Sequence, residues 1–362
     1  MRFRTLTFVL CAASAFCAEP ARTGNERTIY KDPETGRTVW RMTVSKSNDK
    51  HGYYSSQSWN ADMTKIVWST APPQAKRGAI WIMDADGSNF RRLADDVPYN
   101  MHTGSNASWS RDGKHIYYGQ TDAVDFQGRT VKRPPADDVR FDKDVYVQGP
   151  IRITKEMCYA LSPHKKLLDA QPATLRNPKW APDHRTFMIG YSNEYENPDT
   201  LERRVPTVKE LYLIGADGKN FRRLDDFKHH HSWTADSKSI LFAGHDGLVV
   251  EAIDGSSRRV ISKLTGTHPS INPQGTLVVT DVYTEKGDHL ALIRVEDGQL
   301  EKLVNTPRTH PRNHKQTHTH PMWSPDGSMV MYDSDESGVC QIYIVIVNES
   351  KAGGGRSRPA AP

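Results

Sequence analysis

Short apolar runs recur along this 362-residue chain, each following a compact polar turn. One such unit reads Trp59-Asn-Ala-Asp-Met-Thr-Lys65-Ile-Val-Trp, and another reads Trp109-Ser-Arg-Asp-Gly-Lys114-His-Ile-Tyr. The unit returns at Trp180-Ala-Pro-Asp-His-Arg185, Trp233-Thr-Ala-Asp-Ser-Lys238, Ile271-Asn-Pro-Gln-Gly-Thr276 and Trp323-Ser-Pro-Asp-Gly-Ser328. An aromatic or apolar anchor, a turn rich in Pro, Asp and Gly, and then β-branched or apolar residues predict two strands joined by a tight turn. A second half-unit, Ile82-Met-Asp-Ala-Asp-Gly87-Ser-Asn-Phe-Arg-Arg-Leu93, is nearly copied as Leu213-Ile-Gly-Ala-Asp-Gly218-Lys-Asn-Phe-Arg-Arg-Leu224. It predicts an outer hairpin turning on Asp-Gly.

Four short strands per unit, repeated at intervals of roughly 40–70 residues, predict the blades of an all-β propeller. Six blades are legible, and the long interval from Trp109 to Trp180 has room for a seventh around Asp144–Val147 and Ile151–Thr154. The last blade stops one strand short after Ile342–Val347, while Gly36–Thr43 is an orphan strand of the right type near the start. The expected architecture is therefore a propeller closed by an N-terminal strand, which removes open sheet edges. The anchor Trp, Asp and Gly positions are read as packing and turn residues.

The N-terminus combines Arg2 and Arg4, an apolar run from Leu6 to Phe16 and small residues up to Ala18. It predicts a secretory leader over 1–18, a single propeller domain over 19–350 and a disordered tail over 351–362. The expected location is a periplasm or the cell exterior. No later run approaches the ~20 apolar residues of a spanning helix, so stable membrane insertion is not expected. Of four cysteines, only Cys158 and Cys340 follow the leader, which implies no disulfide framework. The formal net charge of +5 is mild and no basic stripe carries interleaved aromatics, so nucleic acid is not an expected partner.

Candidate chemistry sits where the repeats meet. Residues just before each blade's first turn approach the central channel at one face. Three positions before the anchors stand Ser56, Asn106, Asn177, His230, His268 and His320. Three successive repeats thus send an imidazole to one region. His318 and Gln316 precede His320 at alternate positions, which an extended strand turns to one side. His268, Gln316, His318 and His320 are candidate ligands for a divalent ion such as Mn, Fe, Ni or Zn. Within His229-His230-His231, the offset favours His230 as the channel residue, with a general base or a further ligand as its role.

His51-Gly-Tyr-Tyr54, His268-Pro-Ser-Ile-Asn-Pro and Thr317-His-Thr-His-Pro-Met-Trp-Ser-Pro-Asp-Gly327 together resemble the oligogalacturonate lyases. The resemblance runs over most of the chain after the leader and is tightest in the last three blades. It implies a seven-bladed propeller that binds manganese through three histidines, matched by His268, His318 and His320, and a glutamine. The family's glutamine stands three before the first of the paired histidines, a place held here by Lys315, so Gln316 is the neighbouring candidate. His230 matches the family base. The family's arginine position reads Lys209-Glu210 here, leaving Arg204 as the catalytic candidate and Arg203 and His231 as substrate contacts.

The implied activity is β-elimination on short oligogalacturonides or a related acidic oligosaccharide, giving 4,5-unsaturated products. The alternative is a non-catalytic, TolB-like propeller that binds a protein or peptide. A serine peptidase is not expected, because no Gly-x-Ser-x-Gly elbow occurs.

Overall fold

The computed structural model describes residues 22, 24–110, 112–119, 122–133, 139–196, 203–284, 287–307 and 318–348. The expected leader at 1–18 and tail at 351–362 lie outside them. Seven blades stand in a ring, which makes the fold a seven-bladed β-propeller. Blade 1 runs through Asn48–Lys50, Lys65–Ala71, Arg77–Asp84 and Arg91–Pro98, each strand antiparallel to the next. Blade 2 begins at Ser108–Trp109, blade 4 at Thr174–Trp180, blade 5 at His229–Trp233 and blade 6 at Ser270–Ile271. In each of these the chain steps outward from the channel strand by strand.

The interval between Trp109 and Trp180 does hold a blade. Arg140–Phe141, Val145–Gln148 and Ile151–Thr154 form a three-stranded sheet among the described residues. Two short helices, Lys155–Leu161 and Lys165–Ala170, follow it. Thr154 caps the first by accepting the Met157 N–H. Cys158 and Leu168 from these helices fill the core between blades 3 and 4. Cys158 and Cys340 are both buried and unpaired with each other.

Closure is as the orphan strand predicts, with one addition. Thr38–Arg41 pairs with Gln341–Ile346 of blade 7, matching Val39 to Val345 and Trp40 to Ile344. Thr28–Lys31 then adds a fifth, outermost strand.

The ring is held between blades, since a channel occupies its centre. Trp59, Trp68 and Trp81 of blade 1 pack against Met322, Met331 and Ile344 of blade 7. Similar clusters join blades 1 and 2, 3 and 4, 4 and 5, 5 and 6, and 6 and 7. The anchor tryptophans also have a polar duty that carries from repeat to repeat. The indole N–H of Trp109 donates to the Ser58 carbonyl at 2.8 Å, that of Trp233 to Lys179 at 3.3 Å and that of Trp323 to Ser270 at 2.9 Å. Each acceptor lies just before the preceding blade's anchor, so one indole locks two blades while its ring fills the core.

The turn aspartates close the adjacent corners. Asp112, Asp236 and Asp326 each accept a hydrogen bond from a Ser or Thr hydroxyl two residues back and a backbone N–H two residues on. In the outer hairpins Gly87 and Gly218 adopt φ of 83° and 76°, the left-handed conformation that favours glycine.

Candidate metal centre and active site

Of the residues three before the anchors, His230, His268 and His320 meet at one mouth of the channel, Ser56 bonds to Asn106, and several of these positions carry backbone irregularities. Asn106, Asn177 and His320 take φ of 51°, 48° and 44°. In blade 5 the pairing jumps from His229 opposite Ala243 to His231 opposite Phe242, so His230 is the extra residue of a β-bulge. The pairing in blade 4 slips in the same way between Arg176 and Lys179, around Asn177. Bulges of this kind re-aim side chains, and here they turn residues out of the sheet toward the mouth. The channel strand of blade 1 is interrupted more strongly. It pairs Lys50 with Ser69 and resumes at Trp59 opposite Ile66. Residues 51–58 therefore leave the sheet and carry Tyr53 and Tyr54 into the centre.

Imidazoles crowd this mouth. One ring nitrogen from each of His102, His268, His318 and His320 can be chosen so that all lie within 4.8 Å of one another. Ring centroids are 4.5 Å apart for His268 and His320, 5.5 Å for His268 and His318, and 5.6 Å for His318 and His320. His230 stands beside them, 4.4 Å from His268. Tyr53 packs edge-on to His320 at 4.9 Å and to His268 at 5.8 Å.

His268 and His320 are fully buried. The Nε2 of His268 and both ring nitrogens of His320 have no hydrogen-bond partner among the described residues. Buried polar atoms left in that state are costly, and a cation among them would satisfy the lone pairs. Burial, and then the neighbouring imidazoles, hold His320 well below its ordinary pKa, which keeps it neutral and able to ligate.

Asp281 orients the cluster from behind. Its Oδ2 accepts from His268 Nδ1 at 2.6 Å, from the Tyr283 hydroxyl at 2.6 Å and from the Thr319 hydroxyl at 3.1 Å. Its Oδ1 accepts the His268 backbone N–H at 2.7 Å. Burial alone would raise this carboxyl, but the His268 imidazole and these hydrogen bonds outweigh it and hold it far below the usual carboxylate range. An ionised carboxylate only accepts, so His268 carries its proton on Nδ1 and presents a lone pair at Nε2. A buried ion pair, Lys50 to Asp333 at 3.0 Å, underlies the same region.

Sequence comparison finds no matching family model and no matching curated protein. Comparison of structures does find relatives in shape. An oligogalacturonate lyase solved in complex with manganese superposes with a TM-score of 0.62 at 17% identity, over 90% of this chain and 96% of the other. An oligogalacturonate lyase from Vibrio parahaemolyticus superposes at 0.63 and 18% identity, over 90% and 97%. The fold is shared with these lyases. A TolB from Acinetobacter baumannii superposes less well, at 0.43.

Of the residues singled out in the sequence, His230, His268, His318 and His320 are brought together. Gln316 lies outside the described residues. Arg203 and Arg204 form one strand of a hairpin with Tyr195–Glu196. The hairpin connects the second and third strands of blade 4 and so opens on the same face as the histidines. The Arg204 guanidinium donates to the Asn193 carbonyl at 2.6 Å and lies 5.9 Å from the Tyr195 ring centre. The side chain of Arg203 lies outside the described part.

His231 is not the substrate contact expected of it. It is fully buried, its ring edge-on to Phe227 at 5.1 Å, because the bulge at His230 turns its neighbour inward. At the arginine position, Lys209 is paired with Glu194 at 3.2 Å.

Three residues of the mouth were missed in the sequence. His102 stands seven before Trp109, outside the three-residue offset but at the same distance that separates Gln316 from Trp323. Lys179 donates to the Tyr54 hydroxyl at 2.8 Å and also to the His231 carbonyl. The dense protein around it lowers its amine to about 7. Asp281, in a strand reading Leu277–Val282, looks like an ordinary strand residue until its partner is known.

Proposed function

We propose that this chain is a metal-dependent lyase that cleaves short oligogalacturonides, or a related oligouronate, by β-elimination. The observation that carries the reading is the group of buried imidazoles with unsatisfied ring nitrogens, flanked by His230. His268, His318, His320 and Gln316 are the proposed ligands, and manganese is the proposed ion because one structure of the same fold is a complex with it. Bound there, a divalent cation would supply positive charge close to the negative charge that builds on a uronate carboxylate as its neighbouring carbon is deprotonated.

His230 is the proposed base. Its ring, pushed out by the bulge, takes the C5 proton. The C5–H electron pair becomes the C4=C5 bond, and the C4–O bond breaks toward the glycosidic oxygen, which leaves with a proton from solvent. No water adds across the bond, so the outcome differs from hydrolysis by paired carboxylates. Arg204 and Arg203, on the hairpin that opens on this face, are the proposed cations for the carboxylates of the oligomer. Tyr53 and Tyr54 wall the site and exclude water from the proton transfer.

The test is an assay of purified protein against a panel of uronate oligomers with and without manganese, following the absorbance of the unsaturated product near about 235 nm, with His230→Ala as the variant. The expected outcome is metal-dependent product formation that His230→Ala abolishes while metal content is kept. A protein that binds metal and forms no unsaturated product from any oligomer would overturn the lyase reading in favour of a binding module.

A further inference from the structure

We infer that His102 is a fourth imidazole ligand of the centre, entering from the blade 2 side of a ligand set otherwise drawn from blades 6 and 7. This rests on the metal-binding reading proposed above and adds a donor to it. Nitrogens on opposite sides of an ion at about 2.1 Å each are separated by about 4.2 Å. The four histidines already offer nitrogens within 4.8 Å of one another, so adjustments of a fraction of an ångström close the sphere. The His102 ring is 4.6 Å from that of His318 and 4.7 Å from that of His320, nearer to both than His318 and His320 are to each other.

The segment that carries His102 is built to hold it there. Asn100 Oδ1 accepts the backbone N–H of His102 at 2.9 Å and of Thr103 at 2.8 Å. Its Nδ2 donates to the Thr103 hydroxyl at 2.9 Å and to the Gly104 carbonyl at 3.2 Å. Asn100 and Gly104 also exchange backbone hydrogen bonds at 3.2 and 2.8 Å. Gly104 has φ of 62°, and a Cβ there would lie 2.3 Å from Ser69 Oγ. That hydroxyl in turn accepts the Ser105 N–H at 3.0 Å. The turn is thereby seated on blade 1, and the imidazole it projects loses little freedom on ligating.

The charge balance is the consequence for chemistry. Imidazoles ligate as neutral donors, and the Asp281 carboxylate bonds to His268 and Thr319 behind the cluster, so an ion held here would keep most of its double charge toward an anionic sugar. Four imidazoles also suit late first-row ions such as Ni and Zn better than an oxygen-rich set does.

The experiment uses the full chain and Co2+ as the probe, read by calorimetric titration and by the visible spectrum of the bound ion, with metal-free melting temperatures as the control for folding. His102→Ala is expected to weaken Co2+ binding roughly tenfold or more and to change the ligand-field bands. His102→Gln, which returns a neutral oxygen donor, is expected to recover part of the affinity with bands unlike those of the wild type. It serves as the deciding variant should the alanine protein fail to fold. Affinities within about twofold of wild type and unchanged bands in the folded variant overturn the assignment and leave the lyase proposal standing. A wild-type protein that binds neither Co2+ nor Mn2+ overturns both.

Discussion

Asp281 and His268 are joined by a hydrogen bond of 2.6 Å that fixes which nitrogen of the imidazole faces the other histidines. The carboxylate also receives Tyr283, Thr319 and the His268 backbone N–H, so it holds a strand and its neighbours in one geometry. Asp281→Asn keeps the shape but brings N–H donors to a place where five groups donate, the Thr267 backbone N–H at 3.2 Å being the fifth. The variant is expected to lose about 10–100-fold in metal affinity, measured by titration. The metal-free protein should also lose roughly 1–3 kcal/mol of stability, because donors are left without an acceptor. Unchanged affinity would mean that Asp281 does not orient the ligand.

Closure of the ring by Thr38–Arg41 gives a second expectation. Val39 is fully buried between blades 6 and 7 and sits opposite Val345. Val39→Ala should cost about 1–3 kcal/mol in denaturant unfolding, from lost apolar burial and the cavity left behind. A chain that begins after Arg41 exposes the backbone edge of Gln341–Ile346 and should aggregate, as light scattering would reveal. A soluble truncated chain with an unchanged unfolding midpoint would show that the outer strands add nothing to closure.

The blade ring was legible because its signals are local. Turn chemistry and anchor spacing name the strands directly, and even the orphan strand at 36–43 could be placed by counting. The site was legible only as far as it follows the repeat. His230, His268 and His320 share an offset from their anchors, so periodicity brings them together. His102 sits on an Asn-capped turn of its own and shares its offset from the anchor with Gln316 and not with the other histidines, while Lys179 reaches Tyr54 from a different blade, so neither follows the offset that marks His230, His268 and His320. His231 illustrates the other limit. A single bulged residue decides which of three consecutive histidines faces the channel, and the energetics of one extra residue in a strand are set by neighbours that the sequence does not place.

Removal of the ion should be visible without any substrate. A ligand that binds the folded chain alone stabilises it by about 2.7 kcal/mol at a free concentration 100 times its dissociation constant. Dialysis against a chelator is therefore expected to lower the thermal midpoint, and added Mn2+ or Co2+ to restore it. His268→Ala should abolish the response, since it removes the imidazole that Asp281 holds in place. A midpoint indifferent to chelator and to added metal would count against the site as a metal centre.

Lys179 makes a prediction about pH. Its amine is lowered to about 7 by burial, against an ordinary value of 10.5, while it donates to the Tyr54 hydroxyl and the His231 carbonyl. Between those two values the unfolded chain binds a proton that the folded chain does not, so this group makes stability rise as pH rises through the window. Below pH 7 both states carry the proton and the penalty is constant. Lys179→Met removes the charge and keeps most of the length. Near pH 7 it should be more stable than wild type by of the order of 2 kcal/mol, once the lysine's partial exposure to solvent is allowed for. The difference should shrink as pH approaches 10. Tyr54 still donates to the His231 carbonyl at 2.8 Å in the variant, so the aromatic wall beside His230 is expected to stand. Urea unfolding of both proteins at pH 7 and pH 10 measures the two differences, and subtraction cancels every other titrating group. Equal differences at the two pH values would mean that the amine is solvated well enough to keep its ordinary charge, and the mouth of the channel would then carry one more permanent cation than the geometry assigns to it.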